Sequence, residues 1–232
     1  MAQAHPLDRP VWHALTTRQA NLAQGDALAL RLAPEYGPFA ASVDGSATSL
    51  KRLADLVPEQ DEIWLVETDE VPIPPGTIVR RRADLTQMIA PRIVSTVAEF
   101  PIVSLTEADA PEMRALATLT APGPFLSHTH LLGDFLGVKI DGRLVAMAGE
   151  RMKPEGFTEV SAVCTHPDWR GRGYAAGLMR RVADKIVAKG ETPFLHVYPS
   201  NTGAIALYEA LGFIFRRRMT MAVLTRASGS SA

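Results

Sequence analysis

The segment Val163-Cys164-Thr165-His166-Pro167-Asp168-Trp169-Arg170-Gly171-Arg172-Gly173-Tyr174-Ala175 packs a strand, a glycine-rich loop and a helix start into one stretch of chain. Gly171 and Gly173 lack Cβ atoms, so the backbone can approach a ligand closely and take positive φ. The loop amides and the helix N-terminus then converge on one place, where an anion is favoured. From Thr165 to Gly190 there are six basic residues (Arg170, Arg172, Arg180, Arg181, Lys185, Lys189) against two acidic ones, Asp168 and Asp184. A pyrophosphate suits such a loop.

Three readings compete for it. Gly171-Arg-Gly173-Tyr-Ala-Ala176 fits a dinucleotide fingerprint, but it lies five residues beyond its strand, and the next strand ends in Tyr198-Pro199 with no ribose-binding acid. A P-loop fails because no Lys-Ser/Thr pair follows the glycines. The third reading uses both flanks. Arg170-x-x-Gly173-x-Ala175 resembles the R/Q-x-x-G-x-G/A signature of the GNAT N-acetyltransferase superfamily. Downstream, Asn201-x-x-Ala204-x-x-Leu207-Tyr208-x-x-Leu211-Gly212-Phe213 is similar to that superfamily's second motif, one helix and one strand later.

The resemblance covers about residues 100 to 224 and implies an α/β fold with a mixed sheet, the acyl-CoA N-acyltransferase fold. It also implies acetyl-CoA as co-substrate and no metal. The backbone of Ala162, Val163, Cys164 and Thr165 is expected to meet the pantetheine arm. The amides of Gly171, Arg172, Gly173, Tyr174, Ala175 and Ala176 are expected to hold the pyrophosphate, with Arg170 alongside. Asn201 would cap the next helix and order the pocket beside Ala204, and Tyr208 matches the general acid that protonates the leaving thiolate. A base must take the amine's proton. Glu159 is the first choice, since alternation puts Glu159, Ser161, Val163 and Thr165 on one strand face; Glu150 and His196 are rivals. The expected function is acetyl transfer to a small-molecule or peptide amine, the alternative a non-catalytic CoA-binding regulatory module.

Around the motif, periodicity gives a helix over Ala108 to Leu119, strands over Phe135 to Ile140 and Arg143 to Met152 about an Asp141-Gly142 turn, and a third strand over Phe157 to Thr165. A helix at Tyr174 to Ala188, a strand at Phe194 to Tyr198, a helix at Thr202 to Leu211 and a strand at Phe213 to Leu224 follow. The N-terminal part reads as an α/β extension, with helices at Trp12 to Ala23 and Ser49 to Val57 and short strands at Ala27 to Leu32, Phe39 to Val43 and Glu62 to Glu67. Thr77 to Ile89 is expected to be extended in part. A boundary placed after Val97 gives residues 1–97 an excess of acids (9 basic, 12 acidic) and residues 98–232 an excess of bases (15 basic, 13 acidic). That contrast suggests an N-terminal part that walls the acceptor side and selects a cationic amine.

The 232 residues, 47% hydrophobic and 21% charged with a net charge of −1, are ordinary for a globular chain and argue against a general nucleic-acid or membrane binder. No signal-peptide core stands at Met1 to Val11, and Pro122, Gly123 and Pro124 break the longest uncharged stretch, so a cytoplasmic protein, monomer or homodimer, is expected. The lone Cys164 excludes an intrachain disulfide and reads as a buried, inert strand residue. His128, His130 and Asp134 read as an acceptor-side loop rather than a metal site. Arg80-Arg-Arg82 and Arg216-Arg-Arg218 are expected to alternate across their strands at solvated edges or against acids.

Overall fold

Strand-forming runs in both halves of the chain find partners far away in sequence. A computed structural model describes residues 5–68, 70–94 and 100–227. The boundary expected after Val97 lies outside the described residues. The strands are β1 Ala23–Gly25, β2 Ala29–Leu32, β3 Ala40–Ser42, β4 Ile63–Glu67, β5 Thr77–Ile89, β6 Val103–Ser104, β7 Phe135–Ile140, β8 Arg143–Glu150, β9 Phe157–Thr165, β10 Thr192–Val197 and β11 Ile214–Arg226. The helices are α1 Pro10–Thr16, α2 Ala47–Asp55, α3 Ala110–Thr120, α4 Tyr174–Ala188 and α5 Thr202–Ala210.

Local chemistry explains several of these limits. Asp141 (φ 50°) and Gly142 (φ 79°) make the two-residue turn between β7 and β8. Gly190 (φ 78°) follows α4 where a left-handed residue ends a helix. Ser46 Oγ accepts from Ser49 N at the start of α2, and Asn201 Oδ1 accepts from Ala204 N (3.2 Å) at the start of α5.

β1–β3 form a small antiparallel sheet, and the other eight strands form one mixed sheet in the order β4-β11-β5-β10-β9-β8-β7-β6. β5, extended over its whole length, lies antiparallel between β10 and β11, so strands from both sides of residue 97 share this sheet. Leu178, Met179, Val182 and Ile186 of α4 pack with Val145, Val160 and Leu195 of the sheet in the largest core cluster. Each such side chain contributes about 1.5–3 kcal/mol of burial. Met113, Leu116 and Ala117 of α3 pack on the opposite face, with Met147, Ala162 and Cys164.

Bulges interrupt this sheet at three informative places. Between β8 and β9 the register moves from Met147↔Cys164 to Gly149↔Ser161, with Ala162 at φ 53°. Val160 and Val163 therefore both pack toward the α4 core, while Ala162 and Cys164 face α3. Strict alternation, which grouped Glu159 with Val163 and Thr165, fails here because the extra residue turns the rest of the strand over. In β5, Arg81 pairs with Val223 and Val79 with Leu224, leaving Arg80 as an extra residue. In β11, Phe215 pairs with Met88 and Arg217 with Gln87, leaving Arg216 extra. Consecutive arginines thus do not simply alternate: Arg216 and Arg217 both reach Asp8 Oδ1, at 2.6 and 3.3 Å.

Candidate active site

The parallel pairing of β9 and β10 ends at Glu159↔Phe194, although β9 runs on to Thr165 and β10 to Val197. Two strands that part in mid-sheet leave backbone groups unpaired on both inner edges. An extended ligand can take those hydrogen bonds. Beyond β9 the loop turns at Gly171 and Gly173, both at φ 76°, and Gly173 is the N-cap of α4. No atom lies within 4 Å of where a Cβ would stand on either glycine. The two are required by their backbone conformation and leave an open cradle over the helix N-terminus.

Thr165, Arg170, Gly171, Arg172, Gly173, Tyr174, Ala175 and Ala176 line a depression of about 240 Å³ together with Trp169 and Leu207. Arg172 lies over the Trp169 ring, 4.5 Å from its centroid, and Arg170 Nε donates to Thr165 O. Thr165 Oγ1 is a buried hydroxyl without a protein partner among the described residues. A glycine-opened helix start, two flanking arginines and an orphan hydroxyl fit the pyrophosphate and pantetheine of CoA.

On the other side of α5 lies a larger cleft of about 850 Å³. Val163, His196, Asn201 and Tyr208 line it from the C-terminal part, Phe39, Trp64 and Leu85 from the N-terminal part, and Ala121 to Pro124 from the loop after α3. The N-terminal part does wall this cleft. Leu207 faces the loop depression and its neighbour Tyr208 the cleft, so α5 stands between the two. Burial raises the Tyr208 phenol above its ordinary pKa, and its hydroxyl has no protein partner among the described residues.

The expected bases are placed unevenly. Glu159, fully buried, accepts from Arg151 Nε and Nη2, both at 2.8 Å, and from His196 Nδ1 at 2.8 Å. Burial alone would raise its carboxyl, but Arg151 and His196 outweigh this and bring it to about 2. Glu150 is buried against Lys153 (2.8 Å) and Lys189 (2.9 Å), which hold its carboxyl below the ordinary value against the opposing effect of burial, and it does not line the cleft. His196 does line it. Gln87 Oε1 accepts from Arg216 (2.7 Å), so Gln87 Nε2 is the donor that meets both Leu7 O and His196 Nε2. This fixes the neutral His196 tautomer with its proton on Nδ1. Sequence reasoning missed Gln87, which has no motif; its only signal was a polar residue between the apolar Leu85 and Met88.

Burial pushes the Cys164 thiol up to about 11, as suits an inert residue. His130 pairs with Glu107 (2.7 Å), and His128 packs against Tyr36. Among the described residues, no group of three or more His, Cys, Asp or Glu side chains is placed to hold a metal ion, and no helix is long and apolar enough to cross a membrane.

The parting of two parallel strands beside a glycine-turned helix start defines the acyl-CoA N-acyltransferase fold. Comparison with known proteins carries this to a family: the chain belongs to the GNAT family of acetyltransferases. It is 51% identical, over 97% of its own length and all of the other chain, to a crystal structure assigned to that family from Novosphingobium aromaticivorans, with a TM-score of 0.91. Residues 136–222 match the family model described as FR47-like protein. A 90-residue stretch is 33% identical to the N-alpha-acetyltransferase RimI of Mycobacterium tuberculosis; it takes 37% of this chain and 52% of that protein, so the chain spans about half the length of this curated relative. A GCN5-related N-acetyltransferase from Kribbella flavida shares the fold at 19% identity, with a TM-score of 0.61 over 96% of this chain and 97% of the other.

Proposed function

We propose that the protein transfers an acetyl group from acetyl-CoA directly to the primary amine of a small molecule or peptide. The observation that carries this reading is the position of α5, which sets Tyr208 in the cleft while its neighbour Leu207 borders the glycine loop. When bound, acetyl-CoA supplies an activated acyl group and a thiolate leaving group.

The amides from Gly171 to Ala176 bind the pyrophosphate, and the Thr165 hydroxyl and the free edge of β9 from Ala162 to Cys164 take the pantetheine arm. Asn201 keeps the start of α5, and with it Ala204 and Tyr208, in place. Tyr208 donates its phenolic proton to the departing sulfur; a phenol whose pKa is raised by burial keeps that proton until it is needed. Glu159, held near 2 by Arg151, is a poor proton acceptor at neutral pH. We assign it the positioning of His196 and leave the amine's proton to solvent in the cleft, because His196 donates from Nδ1 to Glu159 and accepts at Nε2 from Gln87, so neither ring nitrogen is open to the amine. No observation favours a purely regulatory CoA-binding module.

The test is a thermal-shift titration with acetyl-CoA followed by a screen of amines with thiol detection of released CoA. Stabilisation plus amine-dependent thiol release is the expected result. Absence of any shift sinks the proposal.

A further inference from the structure

The cleft opposite the glycine loop is lined by more cations than carboxylates. Arg31, Arg80 and Arg81 all line it. None of the three has a carboxylate within 4 Å among the described residues, whereas Arg151 beside them is spent on Glu159. Arg31 is buried, its Nε and Nη1 turned to the carbonyls of Leu32 and Leu56. Burial lowers its pKa, and the more distant charges of Asp61 and Glu35 offset this only in part. Arg80 Nε donates to Thr225 Oγ1 (3.1 Å).

Arg81 is placed with more purpose. Trp64 pairs with Val223 across β4 and β11, and Val223 with Arg81 across β11 and β5, so the three form one row over the sheet. The Arg81 guanidinium lies 4.8 Å from the Trp64 ring centroid. A guanidinium stacked by its face keeps its in-plane N–H edge for a bidentate acceptor. The β5 bulge at Arg80 is what brings two successive arginines to one cleft; a regular strand would have sent one of them to the other face. The cleft's two acids meet neutral donors, Glu62 Oε1 accepting from Trp64 Nε1 (2.6 Å) and Asp61 Oδ1 from Glu62 N (2.8 Å), and the three arginines outnumber them.

We infer that the acceptor amine carries an oxyanion, a carboxylate or a phosphate, that docks on the Arg81 edge with Arg31 and Arg80 around it. This reverses the cationic acceptor suggested by the acidic balance of residues 1–97, because within the cleft that part contributes three arginines (Arg31, Arg80, Arg81) against two acids (Asp61, Glu62). The inference rests on the cleft being the acceptor side of the proposed reaction. Apolar Phe39, Leu85 and Trp64 around the arginines suit an acceptor with a hydrophobic body next to its charge.

The test uses the full chain and four simple probes in calorimetric titrations: 3-phenylpropionate, phenyl phosphate, the neutral 3-phenylpropanamide and the cationic 3-phenylpropylamine. The anions are expected to bind at least about tenfold more tightly than the amide, with Arg81→Gln removing about that factor for the anions alone. Tighter propionate than phosphate binding identifies a carboxylate acceptor, and the reverse order a phosphate. Equal binding of amide and anions, tighter binding of the amine, or anion binding indifferent to Arg81→Gln overturns the inference. An acetyl-CoA thermal shift on the same two proteins keeps the readings apart, since Arg81 does not line the glycine loop. Its loss in both would defeat the transfer reaction, and its presence without anion selectivity would defeat only the oxyanion.

Discussion

Glu159 and His196 meet at 2.8 Å, Oε1 to Nδ1, where β9 and β10 part. The contact ties the apex of the cleft to Arg151 on one side and to Gln87, Arg216 and Asp8 on the other.

The pair makes stability depend on acid. The Glu159 carboxyl lies at about 2 in the folded chain against 4.5 for the free group. A carboxyl depressed by folding stabilises fully above its unfolded pKa, and that stabilisation is lost as pH falls through the folded one. The difference amounts to about 3 kcal/mol, lost between about pH 4.5 and 2. Urea unfolding across that range should show a steeper fall for the wild type than for Glu159→Gln. At pH 7 the variant should be about 3–5 kcal/mol less stable, because Arg151 is left unpaired. Equal pH slopes for the two proteins would count against this account.

Tyr208→Phe removes the proton donor while keeping the ring that packs near Phe213. Turnover should fall about a hundredfold, the lower range for general acid catalysis, with acetyl-CoA affinity unchanged. Steady-state rates combined with a cofactor titration separate these quantities; parallel losses in both would make Tyr208 a packing residue.

Gly173→Ala tests the loop by conformation alone. Its Cβ meets no atom within 4 Å, so the cost comes from φ 76°, about 1–2 kcal/mol for a residue with a side chain. A lower melting temperature together with weaker acetyl-CoA binding is expected. Full affinity would show that the loop does not hold the cofactor through this turn.

Cys164, with its thiol at about 11 and its side chain packed toward α3, should resist iodoacetamide at pH 8 in the folded chain. In denaturant it should alkylate at the ordinary rate, as mass spectrometry over time would reveal. Fast labelling of the native protein would contradict the packing of β9.

Much of the site was legible because its signals are local. The α4 limits, the Asp141-Gly142 turn and the Asn201 cap follow from residues within a few positions of one another. What escaped was non-local. An extra residue at Ala162, Arg80 or Arg216 leaves no mark on an apolar pattern, since a bulge is defined by the partner strand's register. The insertion of β5 between β10 and β11 escaped for the same reason: Thr77 to Ile89 shows no partner in its own neighbourhood. The Arg151 contact that lowers the Glu159 carboxyl escaped too, because alternation alone does not show it.

The place of β5 also governs the order in which the molecule is made. Ile63 pairs with Leu224, and Thr77 with Arg226, so strands that leave the ribosome early wait for the strand that leaves late. Until then β4 and both edges of β5 are open to foreign strands, the condition in which nascent β-proteins aggregate. The emergence of β11 from the ribosome is the event that closes the sheet. Slow folding set by these long loops, and a need for chaperone cover during translation, follow from the same strand that walls the cleft.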